Sequence, residues 1–80
     1  MVRVRIHGIL KEEGGVDVVD VDSRYFDEVV SKLPEEVRKV LMKYSKYLIV
    51  LVNGRRVYDL DKIQLQPTDV IDLMIPVGGG

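Results

Sequence analysis

The sequence predicts an α+β fold: a mixed sheet of about four to five strands, with one main helix and a second short helix on one face. Three observations lead there. Fifteen Val and six Ile against no Ala favour strands over a helical bundle. Apolar residues alternate with a period of two at the N-terminus and run on near the C-terminus. Between these two regions the apolar spacing changes to that of a helix.

Val2, Val4 and Ile6 alternate with Arg3, Arg5 and His7, a strand with one polar face. Gly8 to Gly15, with Lys11-Glu12-Glu13-Gly14-Gly15, reads as a polar loop ending in turn glycines. Val16 to Val21 reads as the return strand of a hairpin, with a bulge or twist where the alternation breaks at Val18-Val19. Ser23 or Asp22 is placed to cap a helix whose apolar face is Tyr25, Phe26, Val29, Val30 and Leu33. Pro34 interrupts it and can open a second helix, in which Val37, Val40, Leu41 and Tyr44 repeat the spacing. Leu48 to Val52 is an apolar strand ending at Asn53-Gly54, a pair suited to a type I′ turn because both positions take positive φ. Arg55 to Tyr58 returns, Asp59 to Leu65 is irregular with room for one helical turn, Gln66-Pro67-Thr68-Asp69 turns, and Val70 to Ile75 is the last strand. The domain is expected over residues 1–77, with a Gly-Gly-Gly tail over 78–80.

This order of elements is the β-grasp arrangement of ubiquitin-like proteins, in which the first and last strands are parallel neighbours at the sheet centre. The C-terminus then leaves from the middle of the sheet. Glycines are slim enough to lie extended in a channel that admits no side chain.

Composition narrows the function classes. Eighty residues make one small domain, and a net charge of −1 without a Lys/Arg block argues against nucleic acid as the main partner. With no Cys and a single His, neither a disulfide nor a metal site of several Cys or His ligands is available. No segment reaches the ~20 apolar residues of a membrane span, and Met1 to Arg5 lacks the apolar run of a signal peptide, so a cytoplasmic location is expected.

The last thirty residues carry a resemblance. Leu51-Val52-Asn53-Gly54-Arg55 resembles the hairpin of small sulfur-carrier proteins, and Gln66-Pro67-Thr68-Asp69-Val70 resembles their turn before the last strand. Ile75-Pro76-Val77-Gly78-Gly79-Gly80 resembles their ending. The chain is similar to the small subunit of molybdopterin synthase and to the thiamine-pathway sulfur carrier. Thr68-Asp69 stands where that family usually has Gly-Asp, and Ile75-Pro76 where molybdopterin-type members usually have Pro-Pro. The second helix favours the molybdopterin type.

The resemblance implies a carrier that is not itself an enzyme and binds no cofactor. Its terminal carboxyl at Gly80 would be adenylated by an E1-like partner using ATP and converted to a thiocarboxylate. The acceptor would be the large subunit of molybdopterin synthase or another sulfur-accepting enzyme. Chemistry requires the activation step, because a carboxylate, ionised above about pH 3.5, is a poor electrophile. Conjugation to lysines of target proteins through Gly80, and sulfur supply to thiamine or to tRNA, fit the same residues. So does a rival of another class, an interaction or RNA-binding domain with an inert tail.

The remaining polar residues carry weaker signals. His7 reads as a solvated strand histidine, Asp59 and Asp61 as a polar turn, and Tyr44 as packed; Arg55 and Arg56 after the Asn-Gly turn read as solvated hairpin arginines, with contact to phosphate or an acidic partner as the alternative. Strand parity turns Ile49, Leu51 and Met74 away from the helices, which marks a partner-docking face. Pro76 and Val77 would aim the tail from that face.

Overall fold

The computed structural model describes residues 1–76. Five strands form one mixed sheet: β1 (Val2–Ile6), β2 (Val18–Val21), β3 (Ile49–Val52), β4 (Arg55–Arg56) and β5 (Val70–Met74). Their spatial order is β2-β1-β5-β3-β4. As expected, β1 and β5 are parallel and central, with Val4 opposite Ile71 and Ile6 opposite Leu73. The pairs β1–β2, β3–β5 and β3–β4 are antiparallel. Helices α1 (Gly8–Gly14), α2 (Phe26–Ser31) and α3 (Glu35–Lys43) complete the α+β, ubiquitin-like β-grasp. Short 3-10 turns lie at Ser45–Tyr47 and Leu60–Lys62.

The core is what the alternation predicts. Val2, Val4 and Ile6 of β1, Val50 of β3, and Ile71 and Leu73 of β5 are buried together with Val29, Leu33, Val37, Val40 and Leu41 from the helical layer. Tyr44 packs against this cluster.

Three local expectations are corrected. The connection between β1 and β2 is a helix rather than a polar loop. Its seven residues bury Leu10 and Gly14, and Gly15 closes it in the left-handed region at φ 79°, donating its N–H to Lys11 O at 2.9 Å. A Cβ on Gly14 would stand 2.8 Å from Val37 Cγ2, so the absence of a side chain lets α1 approach α3. Next, the expected main helix starts late and is short. Tyr25 stays extended because it bridges Gln64, while Leu65 N–H donates to Arg24 O just before it. Helix α2 therefore begins at Phe26, neither Asp22 nor Ser23 caps it, and Tyr25 is exposed. The nine-residue α3, opened by Pro34, is the longest helix described. Finally, Val18-Val19 is not a bulge. Val19 pairs with Val4 and Val18 with Arg5 in unbroken register, and Val18 points outward.

The Asn53-Gly54 turn forms as expected, with φ 51° and 83°. Its sequence neighbour in space is the Gln66–Asp69 turn. Asn53 Nδ2 donates to Asp69 Oδ1 and Val70 N–H donates to Asn53 Oδ1, both at 2.9 Å. Asp69 Oδ2 also accepts the Gln66 N–H at 2.7 Å. The two motifs thus make one hydrogen-bonded clamp that fixes where β5 begins beside β3.

Candidate functional site

Strand β5 determines where the C-terminal segment departs. Its residues alternate, with Ile71 and Leu73 in the core and Val70, Asp72 and Met74 on the face opposite the helices. His7 N–H donates to Leu73 O at 3.1 Å, which closes the β1–β5 pairing. Ile75 remains buried, and Pro76 is the first exposed residue after the strand. Proline fixes its own φ and biases Ile75 towards extended geometry. The predicted site residues Val77, Gly78, Gly79 and Gly80 lie outside the described residues.

Three of the predicted docking residues, Ile49, Leu51 and Met74, lie together on the sheet. Ile49 pairs with Met74 across β3 and β5, and Leu51 lies between Asp72 and Arg56. All three apolar side chains are half-buried and on the helix-free face. Cross-strand register completes one row over the whole sheet: Val18, Arg5, Asp72, Leu51 and Arg56. Apolar surface thus occupies β3 and the end of β5, with charged residues on both flanks.

Asp72 is the residue that sequence reading misses. It belongs to the open face, yet is only 4% exposed. Arg5 covers it with a two-pronged bond, Nε to Oδ1 at 2.7 Å and Nη2 to Oδ2 at 2.9 Å. His7 Nε2 lies 2.7 Å from the same Oδ1. His7 is therefore not simply a solvated strand residue; its ring is half-exposed and held by a carboxylate. The Arg5 hydrogen bond holds the Asp72 carboxyl below the usual carboxylate range; burial opposes this, and the His7 contact reinforces it. Arg5 is correspondingly raised by its bond to Asp72. The outer pair, Arg3 Nε to Asp20 Oδ1 at 3.1 Å, is exposed, and Asp20 is lowered by its hydrogen bond to Arg3. The only signal for the Asp72 arrangement is polar residues at matching parity on two strands, which requires knowing the β1–β5 register.

Among the described residues, the other polar side chains singled out in the sequence lie apart from this cluster. Asp59 and Asp61 are exposed, as are Arg55 and Arg56. Among the described residues, no group of three or more His, Cys, Asp or Glu side chains could hold a metal ion. No described helix is long and apolar enough to cross a membrane. What the described residues offer is the end of a central strand beside a semi-apolar sheet face.

Geometry and solved structures agree on the class: this is a small ubiquitin-like β-grasp protein. A chain of the complex of subunits 1 and 2 of molybdopterin-converting factor from Helicobacter pylori 26695 superposes with a TM-score of 0.71 at 25% identity. The match covers 99% of this chain and 97% of that one. Urm1 of Sulfolobus solfataricus gives a TM-score of 0.74 at 18% identity, over 92% of this chain and 99% of that one. A chain of the Amycolatopsis orientalis BexX/CysO complex gives 0.74 at 23% identity, over the full length of both. The chain thus has the fold of the small ubiquitin-like sulfur carriers. No family model matches the sequence. No curated protein matches it either.

Proposed function

We propose that this chain is a sulfur carrier of the molybdopterin-converting type, with Gly80 as its reactive terminus. The observation that carries this reading is the central β5. It is pinned by β1 and β3 and ends at Met74, two residues before Pro76, beside a half-apolar open face, in a fold shared almost end to end with a chain of a molybdopterin-converting factor. That neighbour was solved as a complex of two subunits, which supports a second, larger subunit as the sulfur acceptor here.

Activation belongs to an E1-like partner. A Gly80 carboxylate oxygen attacks the α-phosphorus of ATP, and pyrophosphate leaves. The terminal sulfur of a persulfide donor then attacks the acyl carbon, and AMP leaves. A thiol cleaves the resulting S–S bond, leaving the electron pair on the thiocarboxylate. The chain contributes no acid, base or nucleophile beyond its terminus. It supplies presentation: a rigid exit and a surface that anchors the domain while the tail is engaged.

The test is intact-mass analysis after incubation with the E1-like enzyme, ATP and a persulfide donor. The expected product has one oxygen replaced by sulfur. Removing Gly80 should abolish ATP–pyrophosphate exchange and leave the fold intact, since the core of the described residues is built from residues 2–75. Exchange that survives the deletion overturns the reading. Met74→Glu and Leu51→Glu should weaken enzyme binding with little change in melting temperature, because both side chains are half-exposed on the sheet face.

A further inference from the structure

We infer that the open sheet face selects a protein partner carrying an acidic residue opposite Arg56, set beside an apolar patch that meets Ile49, Leu51 and Met74. The inference rests on the carrier reading and deepens it by giving the partner surface its chemistry.

The face carries Arg3, Arg5 and Arg56 against Asp20 and Asp72, so it is positive on a chain whose net charge is negative. The three arginines are not equivalent. Arg3 is matched by Asp20, and Arg5 by Asp72. The guanidinium of Arg56 makes no ion pair among the described residues. Its contact is the ring of Tyr58, 4.9 Å from Cζ to centroid. Stacking holds the planar guanidinium in place and leaves its donors free. Tyr58 is itself 77% exposed, so this corner of the face is open to solvent.

Register gives the spacing. Arg56 lies directly beside Leu51, and three strand spacings, about 14 Å, separate it from Arg5. Between them lie Leu51 and the covered Asp72, with Ile49 and Met74 one row along. A matching surface therefore needs an apolar centre with a carboxylate to one side. Arg5 adds little to selection, because its charge is already neutralised by Asp72.

The same details argue against other occupants. Nucleic acid would be held by several unpaired cations, and among the described residues this face has one unpaired arginine. A second copy of the face has no carboxylate to give, since Asp20 and Asp72 are both engaged. Self-pairing would leave Arg56 unmatched.

Arg56 also allows a clean experiment, because no carboxylate in the described fold depends on it. ATP–pyrophosphate exchange by the purified E1-like enzyme of the same organism is measured against concentration of the full-length carrier. Wild type, Arg56→Lys, Arg56→Ala and Arg56→Glu are compared at low and high sodium chloride, with urea unfolding as a check of fold. We expect KM for the carrier to rise about threefold for Arg56→Ala and about tenfold or more for Arg56→Glu, with kcat unchanged. Arg56→Lys should retain most of the affinity, and high salt should close the gaps. Exchange with an unaltered KM for Arg56→Glu overturns the inference and leaves the carrier reading standing. An equal, salt-insensitive KM rise for Ala and Glu also overturns it, because Arg56 would then act through packing on Tyr58. Failure of the wild type to support exchange overturns the carrier reading, and the inference with it.

Discussion

Leu73→Ala is the most direct test of how the sheet is built. Leu73 is fully buried in the central strand, flanked in register by Ile6 on β1 and Val50 on β3. Both neighbours are β-branched and stiff at χ1, so they cannot swing into the space that Ala leaves. The cost should therefore fall in the upper part of the range for such truncations, about 3–5 kcal/mol. A domain of this length is stable by roughly 4–12 kcal/mol, so the variant would lose about a quarter or more of its stability. The melting temperature should fall by roughly 15–30 °C. Urea unfolding followed by circular dichroism at neutral pH measures the difference, and an unchanged m value confirms that the unfolding unit is the same. Leu51→Ala is the control, on the neighbouring strand but half-exposed on the open face, and should cost about 1 kcal/mol or less. A cost below about 1 kcal/mol at Leu73, or a larger one at Leu51, would refute the assignment of faces.

Three further outcomes are expected. Asp72 has a lowered folded-state pKa, so its contribution is fully present above its unfolded pKa of about 3.9 and is lost as pH falls through the lower folded value. Urea midpoints of wild type and Asp72→Asn should accordingly differ by a constant amount near neutrality and converge in acid; parallel curves down to the lowest pH would contradict the pairing. Gly14→Ala should destabilise by about 1–3 kcal/mol despite better helix propensity, because the new methyl meets Val37 Cγ2 at 2.8 Å and Val37 Cα at 3.3 Å. Combined with Val37→Ala, it should cost less than the sum of the two single losses if that contact is the cause. Asn53→Ala should cost about 1–2 kcal/mol, through both the positive φ and the two bonds to the Asp69–Val70 segment, whereas Asn53→Gly should keep the turn and lose only the bonds. A double-mutant cycle with Asp69→Ala that gives no coupling would remove the clamp from the account.

Local chemistry determined much of this protein before any tertiary contact was known. The period of two in Val2–Ile6, the apolar run before Asn53-Gly54 and the turn chemistry of Gln66–Asp69 each specify backbone geometry by themselves. With the order of elements they lead to the central parallel pair and to the outward parity of Ile49, Leu51 and Met74. Tertiary structure decided the features in which distant residues share one place. Helix α1 is seven residues, too short to hold itself together, and it forms because Leu10 enters the core and Gly14 lies against Val37. Helix α2 starts late because Arg24 and Tyr25 are drawn into backbone bonding with residues forty positions away. Asp72 looks like an exposed strand aspartate in the sequence, and only the β1–β5 register covers it with Arg5 and His7. The same register pairs Arg3 with Asp20 and Arg5 with Asp72, and among the described residues leaves Arg56 as the arginine of that face without an ion pair. A sequence states which charges a chain carries, but which of them cancel depends on distances of a few ångströms that only the folded sheet sets.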